Sequence, residues 1–376
     1  MNARGECLRN SNQARRQDIS DVHQPESGDG PEQAASDARP TNVDPTANTD
    51  ANGPIDRRSI PDNAVEARWS APDGHVLRRI DWPTPRDPES DGQSVDESAP
   101  RGSILFLPGR GDNYEKYLES LIEWNRAGWR VTAADWRGQA GSGRLGKDEV
   151  TGHIENFSIW VDDLSAFWKQ WVNETPAPHV IMGHSMGGHL VMRALMDRRI
   201  DPSAVVLSAP MLGMNGPPLP LALLHRVARV MTRIGDPTRP AWKWSEKPGE
   251  LPLARSGLLT HDDDRYADEG WWREHRPELV MGPASWRWVE QAYRSIIALE
   301  APGALEAVKT PVLIVSTSAD KLVSHKANRR AAQRLPNGRM VEFGSEARHE
   351  ILREVDSVRD RAMAAIAQFL DEAAPR

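Results

Sequence analysis

The segment Val180-Ile181-Met182-Gly183-His184-Ser185-Met186-Gly187-Gly188-His189 constrains this chain more than any other. Its apolar start reads as a buried strand, its middle as a sharp turn, and the residues from Met186 onward as a helix. Gly183 and Gly187 bracket Ser185 in the pattern G-x-S-x-G. A side chain at the apex of such a turn sits on a strained backbone, so its neighbours must be small. The strain lifts the serine Oγ clear of the main chain, and the N–H groups of the following helix point into the space above it. Whatever fold surrounds this element must supply a buried strand before it and a helix after it, and it acquires a serine placed as a nucleophile.

The rest of the chain supplies that setting. Strand-like runs occur at Val65–Ser70 and His75–Trp82, paired around the turn Pro72-Asp73-Gly74, and at Ser103–Leu107, Val131–Asp135 and Ala204–Ser208. Two more follow at Pro311–Ser316 and Arg339–Phe343, making eight with the Val180 run. Helical patterns separate most of them, at Tyr114–Ala127, His153–Trp171, Met186–Arg199 and Val358–Leu370. Continuous apolar strands between helices predict a mostly parallel eight-stranded sheet covered on both faces, an α/β architecture. The alternation stops between about Gly213 and Ala301, a stretch rich in Pro, Arg and Trp with helical segments at Leu219–Ile234 and Ser285–Leu299. This stretch predicts a helical cap or lid inserted after the sixth strand, over the strand ends where such sheets place their sites. The expected divisions are a disordered tail at 1–62, a first core part at 63–212, the cap at 213–300 and a second core part at 301–376.

Composition narrows the function. Residues 1–68 hold no Phe, Tyr or Trp, and a segment that cannot bury apolar surface stays disordered. The net charge of −7 argues against a nucleic-acid partner. There is one cysteine, Cys7, no secretory signal pattern at the start, and no stretch as long as a membrane span, which together predict a cytoplasmic protein. The acidic run His261-Asp262-Asp263-Asp264 lacks a metal-loop spacing and reads as a solvated loop. No cofactor and no metal are expected. Arg110-Gly111-Asp112, which also occurs in adhesion ligands, follows a buried strand and is read as a chance match.

A serine nucleophile needs a base, a group that orients the base, and donors for an oxyanion. Asp320, just past the seventh strand, is the candidate acid, and His349, in the loop after the last strand, is the candidate base. Among eleven histidines His349 alone follows the acid on a strand-end loop; His325 lies too close behind Asp320, and His184 and His189 sit on the turn and its helix. The oxyanion donors are expected to be the main-chain N–H groups of Met186 and of Arg110, in the loop Leu107-Pro108-Gly109-Arg110-Gly111-Asp112.

With these blocks in place, residues 65–372 resemble the monoacylglycerol lipase and lysophospholipase family of α/β-hydrolases, close to serine aminopeptidase S33-like proteins. The resemblance rests on the glycine loop with Tyr114 after it, on Asp135-Trp136-Arg137-Gly138-Gln139-Ala140-Gly141-Ser142, on the Ser185 turn, and on the Asp320 and His349 blocks. It implies an α/β-hydrolase fold with a lid-like cap, no cofactor, and esters of single-chain lipids as substrates. Two departures stand out: Pro108 replaces a histidine in the oxyanion loop, and Gln139-Ala140 replaces His-Gly.

The expected reaction is ester hydrolysis of a lysophospholipid or monoacylglycerol through an acyl-enzyme on Ser185. A proline iminopeptidase-like peptidase or a thioesterase could use the same groups, and a catalytically inactive scaffold is the reading outside catalysis. Epoxide hydrolases and dehalogenases need a carboxylate where Ser185 stands. Six of the fourteen tryptophans lie in the cap, at 242, 244, 271, 272, 286 and 288, where most are expected to form the cap's own core. The run Leu219–Leu224 is either a buried helix start or a lid face that touches lipid, so transient contact of the cap with a membrane surface is a further expectation.

Overall fold

Four strands form the centre of the molecule, buried throughout except for His179 at the start of the second: β3 (Gly102–Leu107), β5 (His179–His184), β6 (Ala204–Ser208) and β7 (Val312–Thr317). They belong to one eight-stranded sheet of order β1-β2-β4-β3-β5-β6-β7-β8. The remaining strands are β1 (Val65–Ser70), β2 (Val76–Trp82), β4 (Trp129–Ala134) and β8 (Gly338–Phe343). β2 runs antiparallel to both of its neighbours; every other pairing from β4 to β8 is parallel. The computed structural model describes residues 53–83, 100–243 and 253–375. Residues 1–52 of the expected tail, and Trp244, lie outside the described residues.

Helices cover both faces, as the apolar runs require. On one face α2 (Phe157–Glu174) buries Trp160, Leu164, Phe167, Trp168 and Trp171. It starts four residues later than the periodicity alone predicts, because the Asn156 side chain accepts from Ser158 N–H and caps it there. α3 (Met186–Met196) packs beside it. On the other face lie α1 (Leu118–Arg126), entered through a 3-10 turn at Tyr114–Tyr117, and α9 (Asp356–Ala373).

Among its described residues, the stretch between β6 and β7 holds four α-helices: α4 (Leu221–Met231), α5 (Leu253–Leu259), α6 (Asp263–His275) and α7 (Trp286–Glu300). The sequence pattern pointed to α4 and α7 only. The acidic run at 261–264 is not a loop: Asp262 caps α6 by accepting from Arg265 N–H at 2.8 Å, and Asp263 and Asp264 occupy its first turn, where the helix dipole favours acids. α8 (His325–Arg334) lies between β7 and β8. Residues 53–62, expected to be disordered, include a segment held on α6. Arg57 and Arg58 both bond Asp268, and the Trp272 indole donates to the Arg57 carbonyl at 2.9 Å. These are charge and backbone contacts, which a shortage of aromatic residues does not preclude. Among the described residues no helix is long and apolar enough to cross a membrane.

The strand order decides what meets at the C-terminal edge. β3 and β6 flank β5, and β7 and β8 follow. The loops after β3, β5, β7 and β8 therefore open on one side of the sheet, beneath the inserted helices.

Candidate active site

Ser185 links β5 to α3 with φ +50° and ψ −114°, a conformation that side-chain-bearing residues seldom adopt. β6 and the loop after it hold it there: its N–H donates to the Ser208 carbonyl at 3.0 Å, and its carbonyl accepts from Met211 N–H at 2.9 Å. The flanking glycines are demanded by close approach. A Cβ at Gly187 would lie 2.4 Å from the Leu107 carbonyl oxygen, and one at Gly183 would lie 2.6 Å from the Gly188 nitrogen. Helix α3 is thus pressed against the end of β3. Met186, fully buried, is its first residue, so its N–H has no acceptor within the helix.

The structure brings Asp320 and His349 together. His349 Nδ1 lies 2.7 Å from Asp320 Oδ2, and both side chains are buried. Asp320 Oδ1 accepts from the N–H groups of Leu322 and Val323 at 2.8 and 2.9 Å. Burial alone would raise this carboxyl's pKa; the adjacent His349 and the two backbone donors outweigh it and hold the value below the ordinary range. Asp320 therefore stays ionised and fixes the ring by its Nδ1, which leaves Nε2 to face the other way. Ser185 and His349 line one cavity of about 600 Å³ together with Gly109, Arg110 and Gly111.

The loop after β3 lies directly over the serine, since a Cβ at Gly109 would fall 3.1 Å from Ser185 Cβ. Three side chains shape it. Asp112 Oδ2 accepts from Gly109 N–H at 3.3 Å, Gln139 Oε1 accepts from Gly111 N–H at 2.6 Å, and the Trp136 indole donates to the Pro108 carbonyl at 2.8 Å. Gln139 thus has a defined task where the sequence comparison showed only a departure. Its neighbour Ala140 departs at a cost, because its φ of +44° is one that the absent glycine takes without strain. The Arg110 guanidinium bonds the Gly282 carbonyl at 3.0 Å and lies within 5.6 Å of the Trp242 and Trp288 rings.

Other candidates sort by their partners. His189 bonds the Met211 carbonyl and Ser295, and burial depresses its pKa to about 3, a structural role. His325 bonds Ser316, and His261 pairs with Glu354. Asp112 is buried, so Arg110-Gly111-Asp112 presents no accessible acid to a receptor. Of the cap tryptophans, Trp272 and Trp288 join the buried core, and Trp288 also lines the cavity together with Trp242.

The charge beside the cavity is not legible in the sequence. Lys116 Nζ lies 2.8 Å from Asp112, 2.6 Å from Glu350 and 3.2 Å from Glu269, with all four side chains buried. Oxygens of Asp112 and Glu350 and a ring nitrogen of His184 lie within 4.8 Å of one another, a spacing that could suit a metal ion. The Lys116 ammonium already bridges the two carboxylates, so the donor set is neutralised from within and does not fit a cation. His184 packs its ring 4.8 Å from that of His349; burial first, and the His349 ring beside it, depress its pKa to about 4 and keep it neutral.

Comparison with known proteins identifies the family. The sequence model of the family described as serine aminopeptidase, S33, matches residues 98–356. Lysophospholipase L2 of Escherichia coli is 32% identical over 280 residues, covering 71% of this chain and 80% of that protein. A monoacylglycerol lipase of Mycolicibacterium smegmatis is 30% identical over 139 residues, 37% of this chain and 47% of that protein. Among solved structures, a soluble variant of the Saccharomyces cerevisiae monoglyceride lipase shares the fold with a TM-score of 0.64 at 17% identity, over 85% of this chain and 99% of that one. The fold, the strained serine turn and these relatives together establish that the chain belongs to the lysophospholipase and monoacylglycerol lipase family of α/β-hydrolases, which are carboxylic ester hydrolases.

Proposed function

We propose that this protein hydrolyses the carboxylic ester of a single-chain lipid, a lysophospholipid or a monoacylglycerol, through Ser185, His349 and Asp320. The observation that carries the reading is the buried 2.7 Å bond between His349 and Asp320 on the wall of the cavity that Ser185 also lines. His349 Nε2 takes the serine proton as Oγ attacks the ester carbonyl. Asp320 orients the ring and stabilises its charged form. The Met186 and Arg110 N–H groups receive the oxyanion. His349 then protonates the departing alcohol, and water releases the acid from the acyl-enzyme by the same route in reverse.

The cavity suits an acyl chain on one side. Met211, Met214, Val289, Leu322 and Val323 line it. On the cap, α4 exposes Leu223, Val227 and Val230, continued by Leu219 and Ile234, with exposed Arg226, Arg229 and Arg233 between them. An apolar stripe edged with arginines supports a transient contact with an anionic lipid surface. A cytoplasmic location belongs to the same reading and rests on composition alone.

Purified wild type and Ser185→Ala, assayed on lysophosphatidylcholine, monoacylglycerol and p-nitrophenyl butyrate, test the assignment. Turnover should fall on the order of a million-fold in the variant if the three groups act as a unit. Activity retained by Ser185→Ala refutes the nucleophile, and serine-dependent activity confined to the short ester moves the substrate class to a peptidase or another esterase.

A further inference from the structure

Three segments must keep register for the proposed chemistry: the loop over the serine, the loop that carries His349, and the helical cap. Each sends one buried carboxylate to the same ammonium. Asp112 ends the loop over Ser185, Glu350 directly follows His349, and Glu269 lies on α6. Lys116 meets all three at 2.6–3.2 Å with its side chain 2% exposed. An ammonium has three N–H donors, so three carboxylates saturate it.

Each carboxylate is in turn tied to its own segment. Asp112 holds Gly109 N–H and the Tyr117 hydroxyl at 2.7 Å. Glu350 donates its N–H to the Leu259 carbonyl of α5 at 2.8 Å, and its carboxylate also bonds Arg353. Glu269 pairs with Arg255 at 3.1 Å and Arg273 at 2.6 Å. Displacing Lys116 therefore releases the donor loop and the base loop at once.

We infer that Lys116 is a positioning residue for the reaction: it clamps the oxyanion loop and the His349 loop to each other and to the cap, and its charge screens His349 from Asp112 and Glu350. The second role follows from the same placement. The groups that face the His349 neighbourhood are Asp320 from the β7 loop, His184 from β5, Glu350 from its own loop and Arg353 just after it, Asp112, Lys116 and Tyr117 from the entry to α1, Arg255 from α5 and Glu269 from α6. Lys116 is the cation bonded to both nearby carboxylates that do not touch the imidazole.

This inference rests on His349 acting as the base. The test is the pH dependence of kcat/KM on p-nitrophenyl butyrate for wild type, Lys116→Met and Lys116→Arg, with Ser185→Ala as the blank. Without the ammonium the carboxylates favour the imidazolium, so the acid limb in Lys116→Met should move up by about one pH unit. kcat should fall roughly 10- to 100-fold as the two loops lose register, with KM changed less. Lys116→Arg should keep the acid limb in place and recover part of kcat. A Lys116→Met enzyme with an unmoved acid limb, or with wild-type kcat, overturns the inference. Should Lys116→Met fail to fold, Lys116→Met/Glu350→Gln removes one opposing charge with the cation. Its kcat should fall while its acid limb moves less than a full unit, and wild-type kcat there overturns the clamp. Absence of serine-dependent activity in the wild type would instead refute the proposed function, a different result.

Discussion

The cap is one insertion in the chain but two structures in physical terms. Its first helix, α4, buries only Ala228 and packs mainly on α7. Its middle, α5 and α6, is bonded into the catalytic core. Leu258 and Leu259 carbonyls accept from the N–H groups of His349 and Glu350 at 3.4 and 2.8 Å. Thr260 donates to the Arg353 carbonyl at 2.7 Å, and Arg265 joins Glu119, Asp262 and Asp356, each at 2.7 Å. The difference is between a helix whose apolar side chains are left largely exposed and two helices held by buried charge. Buried ion pairs tolerate little displacement, since separating them leaves uncompensated charge. The α5–α6 part is therefore fixed to the core, whereas α4 has little buried surface to hold it.

The largest test of this contrast is Glu269→Gln. It leaves Lys116, Arg255 and Arg273 without a buried carboxylate they share, which should cost about 3–5 kcal/mol in denaturant unfolding. A loss under 1 kcal/mol would show that α6 is not bound to the core by this cluster.

Acid should loosen the core side next. His184 and His189 are held neutral, with pKa values near 4 and 3 against 6.5 in the unfolded chain. Between pH 6.5 and those values the unfolded state binds more protons, so stability falls as pH falls, by about 1.4 kcal/mol per pH unit for each group. Asp320, with its lowered value, adds a loss only at more acid pH, as pH drops through its folded pKa. Stability measured from pH 7.5 to 5 should slope accordingly, and His189→Gln should flatten it; a flat wild-type profile would contradict the burial argument.

The smallest effect on folding belongs to the outer helix. Val227→Asn/Val230→Asn on α4 should change stability by less than about 0.5 kcal/mol, because both side chains are already exposed. Turnover of p-nitrophenyl butyrate should be unchanged, while binding to anionic vesicles and turnover of aggregated lipid should drop severalfold. Equal losses on both substrates would mean that α4 shapes the cavity rather than a surface contact.

Much of the core was legible because its signals are local. The β5 turn, the apolar strands and the α2 face can each be read within a window of a few residues. α6 was not legible for a definable reason. Its buried face is Arg265, Tyr266, Asp268, Glu269, Trp272 and Arg273, so the usual apolar periodicity is replaced by charges whose partners lie elsewhere. Gln139 and Ala140 were visible as departures, yet their consequences depend on Gly111 across the loop and on a backbone angle. Glu350 is another example: in sequence it is only the residue after His349.

By itself, then, the sequence determined the sheet, the strained serine, and the chain order of Ser185, Asp320 and His349, because strand periodicity and turn chemistry act between near neighbours. Only the tertiary structure decided that Lys116 stands between Asp112, Glu269 and Glu350, the last of them 234 positions away. A charge in a sequence does not name its partner; the fold selects it when burial removes water and leaves each ion to be neutralised by whichever opposite charge the packing brings within reach.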